Sequence, residues 1–336
     1  MFTQRIASVF HAGRLPLWAS VAALLLGLHA GVSAQGALVG ILEGRATLLR
    51  TVGKFELAEG VALREADIVE TAPAGFVQIE LTDGVRIGLG ENSRLMLAPP
   101  GTTLRARLLQ GWMKLTPGTD KVAPGEFATP RLNIGALAGT AVVSADSAQY
   151  ALFVESGTLA ITERGSAAPR PAKAGDFLAG RTGATLTLTA RPMPEFLERL
   201  PRPFRDALPA RAAKFRDRPT TARALGDVGY DEVAAWLVAD DAARAPLHDA
   251  WRPRLNDKAF RDAVLAHVAQ HPEWRPIVLP PKKPEVKARP ADRPRPSPAA
   301  APKAADTPPE PAVAPAPAPA PASAATPPVA KASAPS

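Results

Sequence analysis

Phe76-Val77-Gln78-Ile79-Glu80-Leu81-Thr82-Asp83-Gly84-Val85-Arg86-Ile87-Gly88-Leu89 decides how this chain folds. Apolar residues stand at every second position on both sides of an Asp-Gly pair. That is the pattern of two half-buried strands joined by a two-residue hairpin turn in which glycine supplies the positive φ. The pattern repeats in both directions. Leu38 to Leu49, Val61 to Val69 and Arg94 to Leu97 flank the first hairpin, and Ala106 to Leu115, Thr140 to Ser144, Tyr150 to Val154, Leu159 to Thr162 and Phe177 to Ala179 follow it. Gly and Asp punctuate these runs, which leaves no room for helices between them. Many short alternating strands at close spacing predict a mainly β domain over 37–190.

The β region is framed by three segments of different composition. In residues 1–34, Arg5, His11 and Arg14 precede a short apolar core from Leu17 to Leu28, and Val32-Ser33-Ala34 offers small residues for cleavage before Gln35. This is the layout of a secretory signal peptide, and its core is shorter than the roughly 20 residues that span a bilayer. Cleavage leaves no transmembrane segment; an uncleaved anchor is the alternative. The chain contains no cysteine, so neither a disulfide nor a lipobox lipid is available, and the periplasm is the expected location. Arg191-Pro192-Met193-Pro194 ends the β region. Residues 194–276 then read as a small α-helical subdomain, with Val233, Trp236 and Leu237 on one helix face capped by Asp231, and Phe260, Val264, Leu265 and Val268 on another capped by Asn256 or Asp257. Phe196, Leu197 and Leu200 suggest a further short helix, with Phe204 and Leu208 beginning another. At roughly 80 residues such a unit is near the lower limit of independent stability, which favours docking on the β domain. Residues 279–336 alternate Pro and Ala and read as a disordered, polyproline-rich tail. At about 3.1 Å per residue that tail reaches on the order of 150 Å.

The order of turn signals resembles the FecR domain, a periplasmic β module. The residues that carry the resemblance are Gly44 to Leu49, Leu63 to Thr71, Phe76 to Leu89, Asn92 to Leu97, Thr129-Pro130, Ala138 to Val143, Val154 to Ile161 and Lys173 to Asp176. The family usually places Gly before the first Asp and Arg before the Gly-Thr pair; here those positions are Ala66 and Ala138. The resemblance implies a FecR-like β-roll or solenoid-type domain of short strands, followed by the helical subdomain and the tail. In the regulator that gives the family its name, this domain relays a signal from an outer-membrane transporter, and an N-terminal cytoplasmic segment controls a sigma factor. The stretch before Leu17 is too short for such a segment, so the resemblance implies the sensing or binding half alone.

Asp67, Asp83, Gly84, Gly139, Thr140, Gly157, Gly175 and Asp176 are read as turn architecture. Aspartates in such loops accept backbone N–H bonds, and glycines permit sharp reversals. Chemistry is harder to place. There is no Gly-x-Ser-x-Gly elbow and no thiol. His267 and His271 stand four apart without a His-Glu-x-x-His pattern, and no acid pair stands out, so no catalytic, cofactor or metal site is expected. Trp236, Trp251 and Trp274 are read as core in preference to a sugar-stacking cleft. The formal charge of +8 comes without a nucleic-acid recognition motif, so nucleic acid is not an expected partner. Arg199, Arg202, Arg205, Arg211, Arg216 and Arg218 are candidates for a basic surface. The chain therefore reads as a non-enzymatic periplasmic binding or scaffolding protein with an envelope protein partner. The alternative is a cell-wall-associated structural protein contacting peptidoglycan or another anionic polymer. A carbohydrate-active enzyme is the least supported reading.

Overall fold

The computed structural model describes residues 36–280 except 100, 120, 167, 185 and 219. The expected signal peptide and nearly all of the expected tail lie outside the described residues. Within them the chain is mainly β, as the alternation predicts, and the short strands roll back and forth between two sheets. β1 (Ala37–Glu43) lies in sheet A, and Gly44 turns the chain into β2 (Ala46–Arg50) of sheet B, where β3 (Gly53–Glu56) completes a hairpin. β4 (Ala62–Leu63) borders β1, β5 (Ile68–Thr71) returns to sheet B, and β6 (Phe76–Leu81) and β7 (Arg86–Leu89) form the Asp83-Gly84 hairpin in sheet A. β8 (Arg94–Leu97) is again in sheet B. The second half repeats the movement with β10 (Glu126–Ala128) and β11 (Leu132–Gly135) in sheet B, and β12 (Ala141–Ala145) and β13 (Gln149–Val154) in sheet A. β14 (Thr158–Glu163) and β15 (Arg170–Lys173) follow in sheet B, then β16 (Phe177–Arg181) and β17 (Thr187–Thr189) in sheet A.

One strand joins the halves and the sheets. β9 (Leu104–Thr116) pairs through its first half with β8 and β10 in sheet B, and through its second half with β7 and β12 in sheet A. The bend falls at Gly111, whose φ is +96°. A Cβ there would lie 2.3 Å from Ser93 Oγ, so only glycine lets the strand pass. Ser93 fixes the bend by accepting from Trp112 N at 2.8 Å. All described pairings between named strands are antiparallel except β9 with β10.

Inward-facing residues of the two sheets, among them Val39, Leu48, Val69, Ile79, Ile87, Leu95, Met113, Phe127, Val143 and Leu152, form one buried core. The expected run Leu38 to Leu49 is divided at Gly44 because its two parts serve different sheets, and Val61 to Val69 is divided around the turn that ends at Asp67. β3, β10, β15 and β17 carry little alternation of their own, and β11 alternates over only four residues. They are short and interrupted by Lys54, Glu126, Pro171 or the all-exposed Thr187–Thr189.

The region after the roll divides over both outer faces. α1 (Pro194–Glu198) and a 3-10 turn at Arg202–Arg205 lie on sheet A, where Phe196, Phe204 and Leu208 cover Phe76, Trp112 and Phe177. The chain then forms a strand where the composition suggested helix: β18 (Arg223–Asp227) pairs with the edge of β3. α2 (Tyr230–Leu237), α3 (Asp241–Trp251), α4 (Lys258–Ala266) and α5 (Arg275–Val278) follow on sheet B. Trp236, Trp251 and Trp274 are buried there against a patch that contains Leu49, Ile68 and Met96. Asp257 caps α4 through Phe260 N at 2.9 Å, as expected. Asp231 does not cap α2. Gly229 holds that position, and Glu232 reaches back to accept from its N–H at 2.5 Å, a capping-box contact that leaves Asp231 free in the first turn. No described helix is long and apolar enough to cross a membrane.

Candidate functional site

The turn residues singled out in the sequence hold the corners of the roll. Asp67 is buried, accepts from Arg64 N at 2.7 Å and takes a two-pronged contact from Arg50, at 2.8 Å from Nε and 2.5 Å from Nη2. Asp83 accepts from both terminal nitrogens of Arg105, at 2.8 and 2.9 Å. Burial raises the Asp83 carboxyl, but the Arg105 contacts outweigh it and hold the group below its ordinary range. Gly84 has φ +83°. Gly139 and Gly157 meet where the chain crosses between sheets: a Cβ on Gly139 would be 1.9 Å from Ser156 O, and one on Gly157 2.2 Å from Ala138 O. Beside them Thr140 O accepts from Glu155 N at 2.8 Å. Gly175 has φ +92°, and Asp176 accepts from Lys173 N at 2.9 Å. These eight positions are spread over several corners and do not converge on one site.

The concave feature of the roll lies on the outer face of sheet A. Residues opposite one another in register form a row across five strands: Trp112, Ser144, Ala151, Ala179 and Thr187. The middle three are small, so the row is the floor of a trough. At about 4.8 Å between strands it runs roughly 19 Å. The next row, Val142 and Phe177, is covered by Phe196 of α1, and α1 forms one wall with Glu195, Glu198 and Arg199. Gln149 and Arg181 stand on the other side. The trough has a volume of about 1070 Å³. At its end β17 pairs only with β16 among the described residues and so is a sheet edge, and Thr187 on it is exposed.

Two buried polar groups keep this wall in place. Lys114, on β9, is 3% exposed and donates to Phe204 O at 2.6 Å and Asp206 O at 3.0 Å while pairing with Glu155 at 2.8 Å. Glu80, on β6, accepts from the backbone N–H groups of Arg211 and Ala212. The sequence reading missed both. A lysine and a glutamate in alternation with apolar residues look like the solvent face of a strand, and only the later segment that covers the face makes them internal.

Arg199, Arg202, Arg205, Arg216 and Arg218 are exposed and Arg211 is half-buried. None of the six takes part in a salt bridge among the described residues. Arg199 and Arg202 border the trough. His271 is buried and shares a 2.7 Å hydrogen bond with Tyr230 Oη, while His267 stacks on the Tyr230 ring at 5.3 Å. Burial holds the His271 imidazole below its ordinary range. Among the described residues no group of three or more His, Asp or Glu side chains is placed to hold a metal ion.

These features define a β-roll that presents a trough and an open sheet edge. A family model described as FecR protein matches residues 67–160, and the chain is FecR-like. The match runs from Asp67, just before β5, to Ala160 in β14, so it spans the shared strand β9 and the Gly139–Gly157 crossing. It stops short of Ala179, Thr187 and α1. Two solved chains of a proposed anti-sigma factor from Parabacteroides distasonis ATCC 8503 are similar to this chain, at 14% and 13% identity and a TM-score of 0.32 each. Each match covers 37% of this chain and 59% of the solved one. No curated protein matches.

Proposed function

We propose that this chain is a non-enzymatic regulatory protein of the bacterial envelope, exported to the periplasm, that works by binding a protein partner at the trough on sheet A. The observation that carries the reading is the row Ser144, Ala151 and Ala179, a floor of small side chains that leaves a trough beside the free edge of β17. A partner strand that pairs with β17 gains main-chain hydrogen bonds, and its neighbouring residues fit into the trough for specificity. The FecR match supports a regulatory role, and the layout of residues 1–34 supports export.

The test is crosslinking in intact cells from a photoreactive residue at Thr187, which ends the trough row, compared with the same residue at Leu225 on β18, which is 47% exposed and lies in sheet B. The expected outcome is one reproducible adduct from Thr187 that Ala179→Trp abolishes while leaving the urea midpoint unchanged. Equal adducts from both positions, or adducts indifferent to Ala179→Trp, would sink the proposal.

A further inference from the structure

The segment after α1 crosses sheet A from strand to strand, and the order of its contacts follows the order of the strands. The carbonyls of Phe204 and Asp206 accept from Lys114 on β9. Leu208 lies on β7, where a Cβ on Gly88 would be 3.2 Å from its Cδ1. Pro209 O accepts from Gln78 on β6 at 2.6 Å. Arg211 lies on β1, where a Cβ on Gly40 would be 3.2 Å from its own Cβ. Thr220 bridges to Val61, the residue before β4. β9, β7, β6, β1 and β4 are successive neighbours in the sheet. At about 4.8 Å per strand the segment therefore runs roughly 19 Å across the face.

The groups that meet the sheet are backbone carbonyls and N–H groups, the buried side chains of Phe204 and Leu208, and the stem of Arg211. The charged ends stay in solvent. Arg202, Arg205, Lys214, Arg216 and Arg218 are exposed and Arg211 is half-buried. The carboxylates interleaved with these six cations are Asp206 and Asp217, which leaves an excess of four positive charges over residues 202–218. None of the six cations forms a salt bridge among the described residues. No large apolar side chain among the described residues is exposed between Arg202 and Arg218. A protein interface draws most of its energy from a few anchors buried in pockets, and this stripe offers no apolar anchor. It offers charge spread along a line, which a continuous anionic surface rewards whatever its local geometry.

We infer that this stripe seats the protein on an anionic phospholipid surface, its cations taking the place of mobile counterions at the lipid phosphates. The trough is a separate surface. Its floor of Ser144, Ala151 and Ala179 lies on β12, β13 and β16, on the other side of β9 from the strands that the stripe crosses. Neither inference rests on the other.

Flotation with lipid vesicles at about 0.1 M salt tests it, using the chain from Gln35 onward so that the apolar stretch before it plays no part. The protein is expected to float with vesicles of phosphatidylglycerol and phosphatidylcholine in equal parts and to stay behind with phosphatidylcholine alone. Arg202→Gln, Arg205→Gln, Arg216→Gln and Arg218→Gln together should weaken that partitioning about a hundredfold or more, since each cation held near an anionic surface adds to the attraction. The control removes as many exposed cations elsewhere: Arg170→Gln and Lys173→Gln on β15, with Arg252→Gln and Arg261→Gln in the helical layer. It should retain most of the binding. Equal flotation with the two kinds of vesicle, or equal losses from the two variants, overturns the inference. So does capture by soluble polyphosphate at a lower phosphate concentration than by vesicles, which would assign the stripe to a polymer. The comparison of the two lipids on the unmodified protein stands even where a variant fails to fold.

Discussion

The outer faces of sheets A and B are covered in opposite ways by the same C-terminal stretch. Sheet B carries a helical layer in which Trp236 and Trp251 reach the sheet and whose polar groups are tied to it. Trp251 Nε1 donates to Thr51 O at 2.9 Å, and Asp240, the cap of α3, is paired with Arg164 at 2.9 Å and Arg107 at 3.5 Å. Burial raises the Asp240 carboxyl, but its contacts with Arg164 and Arg107 outweigh that and hold it below its ordinary range. Sheet A carries a proline-punctuated segment with one short helix, fastened mainly by Lys114 and Glu80. It covers one row of the sheet and leaves the next open. The difference teaches that a roll with two equivalent outer faces can use one as foundation and keep part of the other for recognition.

The sharpest way to break this comparison is to remove the foundation. Trp236→Ala deletes a side chain that is fully buried, and is expected to destabilise the protein by about 3–5 kcal/mol, read from urea unfolding. A loss under about 1 kcal/mol, the level of a surface change, would show that the helical layer is not integral to the fold. Next in size is Lys114→Met, which leaves two backbone carbonyls and the Glu155 carboxylate without their partner. The expected loss is about 2–4 kcal/mol. It should come with faster proteolysis between Arg199 and Arg205 and unchanged protection of α2 to α4. Equal loosening of both faces would contradict the division between them.

A pH scan separates the faces by another route. His271 sits in the sheet B layer with Tyr230, His267, Glu273 and Arg244 around it, and burial keeps its pKa below the ordinary value of about 6.5. As pH falls from that value towards the lower native one, the unfolded chain takes up a proton that the folded chain refuses. Stability is therefore lost with falling pH across that window and is fully present above it. His271→Asn should flatten this part of the stability curve. If the wild-type curve is already flat between pH 7 and the onset of carboxylate titration, the buried neutral imidazole is wrong.

Much of the roll was legible because alternation and turn residues are local. Phe76 to Leu89 declares its hairpin within fourteen consecutive residues of sequence, and Asp83-Gly84 forms the turn it announces. The alternation of sheets was not legible. Gly111 looks like an isolated glycine in a strand, and nothing near it in the chain mentions Ser93. The trough was hidden for the same reason. Ser144, Ala151 and Ala179 are unremarkable small residues on three strands, and what makes them a floor is their register. β18 was missed because Arg223–Asp227 is exposed throughout, so no apolar period marks it, and its strand state comes from the free edge of β3.

The smallest predicted effect concerns a corner where this chain departs from the FecR pattern. Ala66 stands where the family usually has Gly, and its φ is +62°. The turn keeps its left-handed conformation without the residue best suited to it, because Asp67 beyond it is locked by Arg50 and Arg64 N, and Ala66 N itself bonds to Ala98 O at 3.3 Å. An L-residue in this region costs about 1–2 kcal/mol. Glycine removes that strain but brings back roughly 0.5–1 kcal/mol of unfolded-chain entropy. Ala66→Gly is therefore expected to stabilise the protein by about 0.5–1 kcal/mol, the difference of those terms, seen as a higher urea midpoint at unchanged slope. It should leave capture through the trough unaltered, since β5 lies in sheet B. A lower midpoint would show that the turn at Ala66 is not left-handed in solution, and that the family's glycine answers to a geometry this chain has abandoned.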